Sequence, residues 1–173
     1  MASSSQLFSL LFLFFNLFFL IGFSFGNLIP NVCKQIKNEK FCEKILESNP
    51  KSKTSNLPTL EYIAINLAIS HINATNDKVI SLLLDEKDSK LRNIYGNCSI
   101  NYEEAMDFLG ETQLYLEYKQ FMDLGYYAKD ANLDITFCEE SFKKAKLLSP
   151  LTKNNYILVA FYFISNRNRF KLE

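Results

Sequence analysis

From Leu91 to Leu116 the chain repeats one pattern without a break. Leu91, Tyr95, Cys98, Tyr102, Ala105, Leu109, Thr112 and Leu116 follow one another at alternating spacings of four and three. An α-helix puts such positions on one face, and about seven turns of it need a partner of similar length to cover the stripe. A second stripe supplies the partner: Leu124, Ala128, Ala131, Ile135, Cys138, Phe142, Ala145 and Leu148. Each stripe holds one cysteine, as a disulfide across two helices requires. Asp88 or Ser89 suits the cap of the first helix, and Ser149-Pro150 is expected to stop the second. Upstream, Leu60, Ala64, Leu67 and His71, continued by Val79 and Leu82, form a third stripe. Asn56 and Pro58 mark its start, because proline fits a first turn where its missing N–H is not needed. Asp85 to Ser89 reads as the connection to the next helix. After Pro150, Ile157, Ala160, Phe161 and Ile164 make a shorter apolar face, and residues 28–47 fit two brief helices around Cys33 and Cys42. Strand signals are weak, and no Asn-Gly or Asp-Gly turn occurs. The expected fold class is all-α: an up-and-down four-helix bundle with an N-terminal helical hairpin extension.

The first 26 residues stand apart. They carry no charge, since the first charged side chain is Lys34, and they hold 8 of the 16 Phe, with 6 Leu between Leu7 and Leu20. Such a run targets a membrane rather than building a core. Ser24-Phe25-Gly26 sets small residues at −3 and −1 of a cut before Asn27, as signal peptidase needs. The expected organisation is a signal peptide over 1–26 and one domain over 27–173. An uncleaved signal anchor is the alternative, given the length of the run and the absence of Lys or Arg ahead of it.

Cys33, Cys42, Cys98 and Cys138 all lie in the mature part. An even number in a secreted chain points to two disulfides, with three possible pairings. The simplest joins Cys33 to Cys42 and Cys98 to Cys138, worth roughly 3 and 4 kcal/mol by loop entropy. No Cys-x-x-Cys occurs, and the single His cannot complete a zinc site, so neither metal nor cofactor is expected. A lone His and paired Cys also leave no credible Ser-His-Asp or Cys-His arrangement. With 19 Lys+Arg against 19 Asp+Glu it lacks the basic excess of a nucleic-acid binder. Five Gly among 173 residues leave little room for a phosphate loop.

A secretion signal, four Cys at these intervals and a four-helix bundle together resemble the plant invertase and pectin methylesterase inhibitor family. The specific points are Cys33 with Phe41-Cys42, Cys98-Ser99-Ile100-Asn101-Tyr102 (the family's Cys-x-x-x-Tyr) and Cys138-Glu139-Glu140-Ser141-Phe142 (its Cys-x-x-x-Phe). Asn49-Pro50-Lys51-Ser52, Asn66-Leu67-Ala68-Ile69 and Ser149-Pro150-Leu151-Thr152-Lys153 look most like the invertase inhibitors related to the plane-tree pollen allergen. The resemblance covers essentially the whole mature chain. It implies the Cys33–Cys42 and Cys98–Cys138 pairing. It also implies a secreted, apoplastic, non-enzymatic protein that blocks pectin methylesterase or acid invertase by occluding the active-site cleft. Tobacco-type invertase inhibitors carry Pro-Lys-Phe in the turn between the second and third bundle helices. The corresponding stretch here is Lys119-Gln120-Phe121: the Phe matches, the Pro is absent and the Lys is displaced by one. The resemblance makes these three the expected target-binding residues. A plug for an acidic cleft would offer a cation and an aromatic on a rigid support. The competing reading is a solvated Lys119 and a Phe121 packed over the helix turn.

Other residues have plainer readings. His71 fits a partly buried, hydrogen-bonded core histidine, with a pH sensor as the alternative. Asn73-Ala74-Thr75 is a glycosylation sequon expected on the exposed side of its helix, whereas Asn97-Cys98-Ser99 centres on a disulfide cysteine. Tyr126-Tyr127 fits packing at a helix start or a binding platform, and Glu103-Glu104 and Glu139-Glu140 fit solvated faces. Two other functions compete with inhibition. A secreted carrier of apolar ligands would need a cavity inside the bundle. A membrane-anchored structural protein would need the N-terminus uncleaved.

Overall fold

The computed structural model describes residues 26–34 and 38–152, apart from the side chains of Phe121 and Met122. The chain is all-helical there, with five α-helices and no strand among the described residues. Two short helices, α1 (Ile29–Cys33) and α2 (Glu39–Glu47), form the N-terminal hairpin. A 3-10 turn over Ser52–Thr54 leads to three long helices: α3 (Leu57–Asp85), α4 (Ser89–Glu117) and α5 (Phe121–Lys144). At 1.5 Å per residue, α3 and α4 are each about 43 Å long. The long helices run up, down and up. Asn76 of α3 accepts a hydrogen bond from Ser99 Oγ near the start of α4 at 2.9 Å, while Ile65 of α3 packs with Leu116 and Leu124 at the opposite end. The apolar face at Ile157–Ile164, expected as the fourth bundle helix, and the N-terminal run lie outside the described residues.

The helix starts follow their capping residues. Asn56 accepts from Thr59 N at 3.0 Å with Pro58 in the first turn, and Asp88 accepts from Leu91 N at 2.9 Å. Asn38 caps α2 in the same way, accepting from Phe41 N at 3.3 Å. In α4 the expected stripe is the buried face: Tyr95, Cys98, Tyr102, Ala105, Leu109, Thr112 and Leu116 are buried, with Leu91 half-buried. In α3 the core line is shifted from the expected one. Leu67 and His71 are only half-buried, and the centre runs through Leu60, Ala64, Ala68, Ile72, Thr75, Asn76 and Val79. Small and polar residues carry this face. Thr75 is tolerated inside because its hydroxyl donates to the His71 carbonyl at 2.8 Å, and Asn76 because Ser99 meets it. Glu61 is also buried, a position the apolar pattern passes over.

Both disulfides join the pairs implied by the resemblance, and no cysteine is free. Cys33 and Cys42 bring their Cα atoms to 5.6 Å and close the hairpin. Cys98 and Cys138 bring α4 and α5 to a Cα separation of 4.7 Å, both fully buried. Tyr102 and Phe142 each follow a cysteine by four residues, one helical turn along the same face, and both are buried beside the bridge. Tyr95 packs against Phe142 with ring centroids 5.7 Å apart. Its phenol is pushed up by burial and then by the Glu86 carboxylate.

Helix α5 does not run on to Ser149-Pro150 as expected. It ends at Lys144, and Leu148 is 98% exposed. Lys146 adopts φ 59°, its N–H donates to the Lys143 carbonyl at 3.0 Å and Leu147 N–H donates to the Phe142 carbonyl at 3.0 Å. These two reverse bonds are a Schellman cap, with lysine where glycine is usual. The chain then turns back. Glu139, expected as a solvated carboxylate, is half-buried and accepts from Ser149 Oγ at 2.6 Å and Thr152 Oγ1 at 2.9 Å. Lys78 donates to the Pro150 carbonyl at 3.0 Å, and Leu151 is fully buried. Glu139 therefore pins the segment after α5 to the bundle. Its neighbour Glu140 is exposed and pairs loosely with Lys144 at 3.9 Å.

Candidate functional site

The turn between α4 and α5 holds the three residues expected to bind a target. Helix α4 closes with a second Schellman cap. Lys119 adopts φ 57°, its N–H donates to the Leu116 carbonyl at 3.1 Å, and Gln120 N–H donates to the Tyr115 carbonyl at 2.9 Å. Left-handed backbone in a residue with a Cβ costs about 1–2 kcal/mol, so the surrounding structure holds this turn in one shape. Lys119 and Gln120 are exposed, and Phe121 is the first residue of α5. Beneath the turn, Leu116 and Leu124 pack on Ile65, with Tyr115 and Ile69 at the edge. The apex is therefore a short, closed turn on an apolar base, about 30 Å along α4 from the Cys98–Cys138 bridge.

Two further features mark this end, the first only partly read from the sequence and the second not read at all. The first is an aromatic group on the outer face. Tyr127 stacks on Tyr115 with centroids 5.0 Å apart and 16° between planes, and Tyr126 meets Tyr127 edge-on at 5.6 Å. Phe108 lies 6.2 Å from Tyr127. Tyr127 and Tyr115 are half-buried, whereas Tyr126 and Tyr118 are 61% and 68% exposed. The Tyr127 phenol is pushed up by its hydrogen bond to Tyr115, with smaller contributions from Glu111 and Asp123. So Tyr126-Tyr127 packs at the start of α5 and leaves one ring outward.

The second feature is charge. The chain is neutral overall, but between Glu103 and Asp134 it carries eight carboxylates and two lysines, Lys119 and Lys129. The carboxylates nearest the apex lysine in sequence are Glu117 and Asp123. One of the eight carboxylates is buried: Asp134, with a pKa pushed up to about 6 by burial and then by Glu104 and Asp130. Its Oδ2 has no hydrogen-bond partner. Glu103 and Glu104 are exposed, as expected. The signal for the acidic tip was present in the sequence, but whole-chain neutrality hides it.

Elsewhere, Asn73 is exposed on α3, with Thr75 of its sequon buried. Two grooves open to solvent. One, at the far end, is lined by Lys90, Asn93, Ile94, Asn97, Ser141 and Lys144. The other, of about 550 Å³, lies beside the aromatic group. Among the described residues no cluster of His, Cys, Asp and Glu could hold a metal, and no helix is long and apolar enough to cross a membrane.

This geometry has relatives. A pectin methylesterase inhibitor from Arabidopsis, in mutant form A, superimposes with a TM-score of 0.72 over 82% of this chain and 94% of that one, at 20% identity. In sequence, a pectinesterase inhibitor of Actinidia deliciosa is 32% identical over 118 residues, which is 68% of this chain and 64% of that protein. A Platanus acerifolia protein named "Putative invertase inhibitor" is 30% identical over 91% of this chain and 93% of its own length. The profile described as plant invertase/pectin methylesterase inhibitor matches residues 27–166, spanning the hairpin, both disulfides and all three long helices. With that match, the chain belongs to the plant invertase/pectin methylesterase inhibitor family, whose members are protein inhibitors and not enzymes.

Proposed function

We propose that the protein is a secreted inhibitor of a cell-wall carbohydrate-active enzyme, either pectin methylesterase or acid invertase, and that it acts by occluding the active-site cleft. The observation that carries this reading is the family match over residues 27–166, which begins at the residue following the expected signal cut. Relatives named for each target stand at comparable distance. The Actinidia protein is named for pectinesterase, and an Arabidopsis protein named "Cell wall / vacuolar inhibitor of fructosidase 2" is 26% identical over 70% of this chain. The apex Lys119-Gln120-Phe121 is the part proposed to enter the cleft. Support comes from the exposure of Lys119 and Gln120, the closed Schellman turn and the position at the end of a disulfide-linked helix pair. Rigidity matters here, because a pre-ordered turn loses little entropy on docking. Asn73 is proposed to carry a glycan, in keeping with its exposure.

The test is a side-by-side inhibition assay against both enzymes with the mature, disulfide-bonded protein. Inhibition of one or both is expected. Phe121→Ala should then weaken inhibition by at least about 1 kcal/mol, the level that marks an interface contributor. Failure to inhibit either enzyme would remove the proposal. N-terminal sequencing of the secreted protein, expected to start at Asn27, checks the cleavage, and mass spectrometry checks the glycan.

A further inference from the structure

The apex is flanked by a surface that the cleft-plug reading does not use. Its groove is lined by Met106, Asp107, Phe108, Gly110, Glu111 and Tyr127. The groove has an open floor and chemically distinctive walls, and the walls point to an occupant. Glycine weakens a helix interior, yet Gly110 sits inside α4 two turns from its end, and a Cβ built on it would meet nothing within 4 Å. Packing therefore does not require glycine there. Its effect is to leave the groove floor bare beside Tyr127. The walls are also chemically matched: stacked tyrosine rings on one side, and carboxylates at Asp107 and Glu111 on the other, with Asp123 close enough to act on the Tyr127 hydroxyl. Aromatic faces and carboxylates together favour a cation with a flat, weakly hydrated head group.

We propose that this groove docks a basic patch on the rim of the inhibited enzyme, with an arginine side chain entering between Gly110 and Tyr127 and meeting Glu111. The identity of the partner rests on the inhibitor reading above. The choice of a cationic protein surface rests on charge. The groove's charged lining is Asp107 and Glu111, with Asp123 near Tyr127 and no Lys or Arg in the lining, which favours a cation over a polyanion. The apex and the groove then divide the work: the turn enters the cleft while the acidic flank steers and orients the approach.

Two variants test this in the inhibition assay. Asp107→Lys combined with Glu111→Lys should raise the inhibition constant about tenfold or more at low salt, mainly by slowing association, with the difference shrinking as salt rises. Gly110→Leu fills the groove without a clash at Cβ and should raise it several-fold at any salt. Thermal melts of both should match wild type within a few degrees. Inhibition by either variant equal to wild type at low salt would overturn the proposal. A second arm does not depend on the target. Tyrosine ring signals of the full mature protein are followed by NMR during titration with acetyl-Arg-Gly-Arg-amide, acetyl-Glu-Gly-Glu-amide and cellotetraose. Shifts at Tyr115, Tyr126 and Tyr127 with the arginine peptide alone, lost in the Asp107→Lys, Glu111→Lys variant, support the groove even if neither enzyme is inhibited. No shift with the arginine peptide, or an equal response to the sugar or acidic peptide, overturns it.

Discussion

The waist of the bundle and the tip of the α4–α5 hairpin are built from the same two helices and are opposite in character. At the waist, Cys98 and Cys138 are fully buried, closed over by Tyr102 and Phe142, with the Tyr95 ring tilted against Phe142. At the tip, Lys119 holds left-handed backbone, Tyr126 and Tyr118 face solvent, a glycine inside α4 leaves a groove open, and carboxylates crowd together. The waist buries large side chains around the bridge, whereas the tip gives up stability at several positions. A protein that folds around one end of a helix pair can hold strain and unbalanced charge at the other, and binding surfaces need both.

The sharpest difference should appear on cutting the waist. Replacing Cys98 and Cys138 by serine should cost about 2–5 kcal/mol in chemical denaturation, as for other native disulfides in small secreted domains. Tyr126→Ala at the tip should stay within about 0.5 kcal/mol. Similar costs for the two would break the contrast.

Next in size is Asp134. Its raised pKa means that the folded state holds the proton more tightly than the unfolded chain. Below the ordinary carboxylate pKa both states are protonated and the group contributes nothing. As pH rises from about 4 to about 6 the unfolded chain ionises first, so stability falls through that window, and above it the full penalty applies. Asp134→Asn should therefore stabilise the protein by on the order of 1–2 kcal/mol at pH 7, have little effect near pH 3.5, and flatten the stability profile between them. Equal effects at both pH values would show that burial of the charge is not the cause.

The smallest effects concern backbone. Lys119→Gly should relieve the left-handed turn and stabilise by about 0.5–1 kcal/mol, while weakening inhibition if the apex cation is used. Gly96→Ala should stabilise by a similar amount, because nothing lies within 4 Å of the added Cβ, and should leave inhibition unchanged. Thermal melts and inhibition constants measured on the same preparations separate the two outcomes.

How legible each end was in the sequence follows from the same contrast. The waist is written in large apolar residues at helical spacing, so the α4 stripe from Tyr95 to Leu116 is the buried face with no member displaced. Helix α3 was read one residue off at Leu67 and His71 because Thr75 and Asn76, polar by type, pass into the core through their hydrogen bonds. The end of α5 was missed because the usual sign of a Schellman cap is glycine, and Lys146 stands there instead. Lys119 hid the cap of α4 in the same way. Glu139 looked solvated because its partners, Ser149 and Thr152, lie beyond the turn and no helical period connects them. At the tip, the candidate residues were placed by family resemblance. The stacked tyrosines across α4 and α5 depend on a pairing register that one helix alone does not reveal.

The central claim is that the hairpin tip meets the target while the waist and the N-terminal hairpin only support it. Hydrogen–deuterium exchange on the complex with whichever enzyme is inhibited tests this directly. Protection gained on binding should fall on residues 108–127, with no change at 29–47. Protection confined to the N-terminal hairpin or to α3, with residues 108–127 exchanging as in the free protein, would contradict the account.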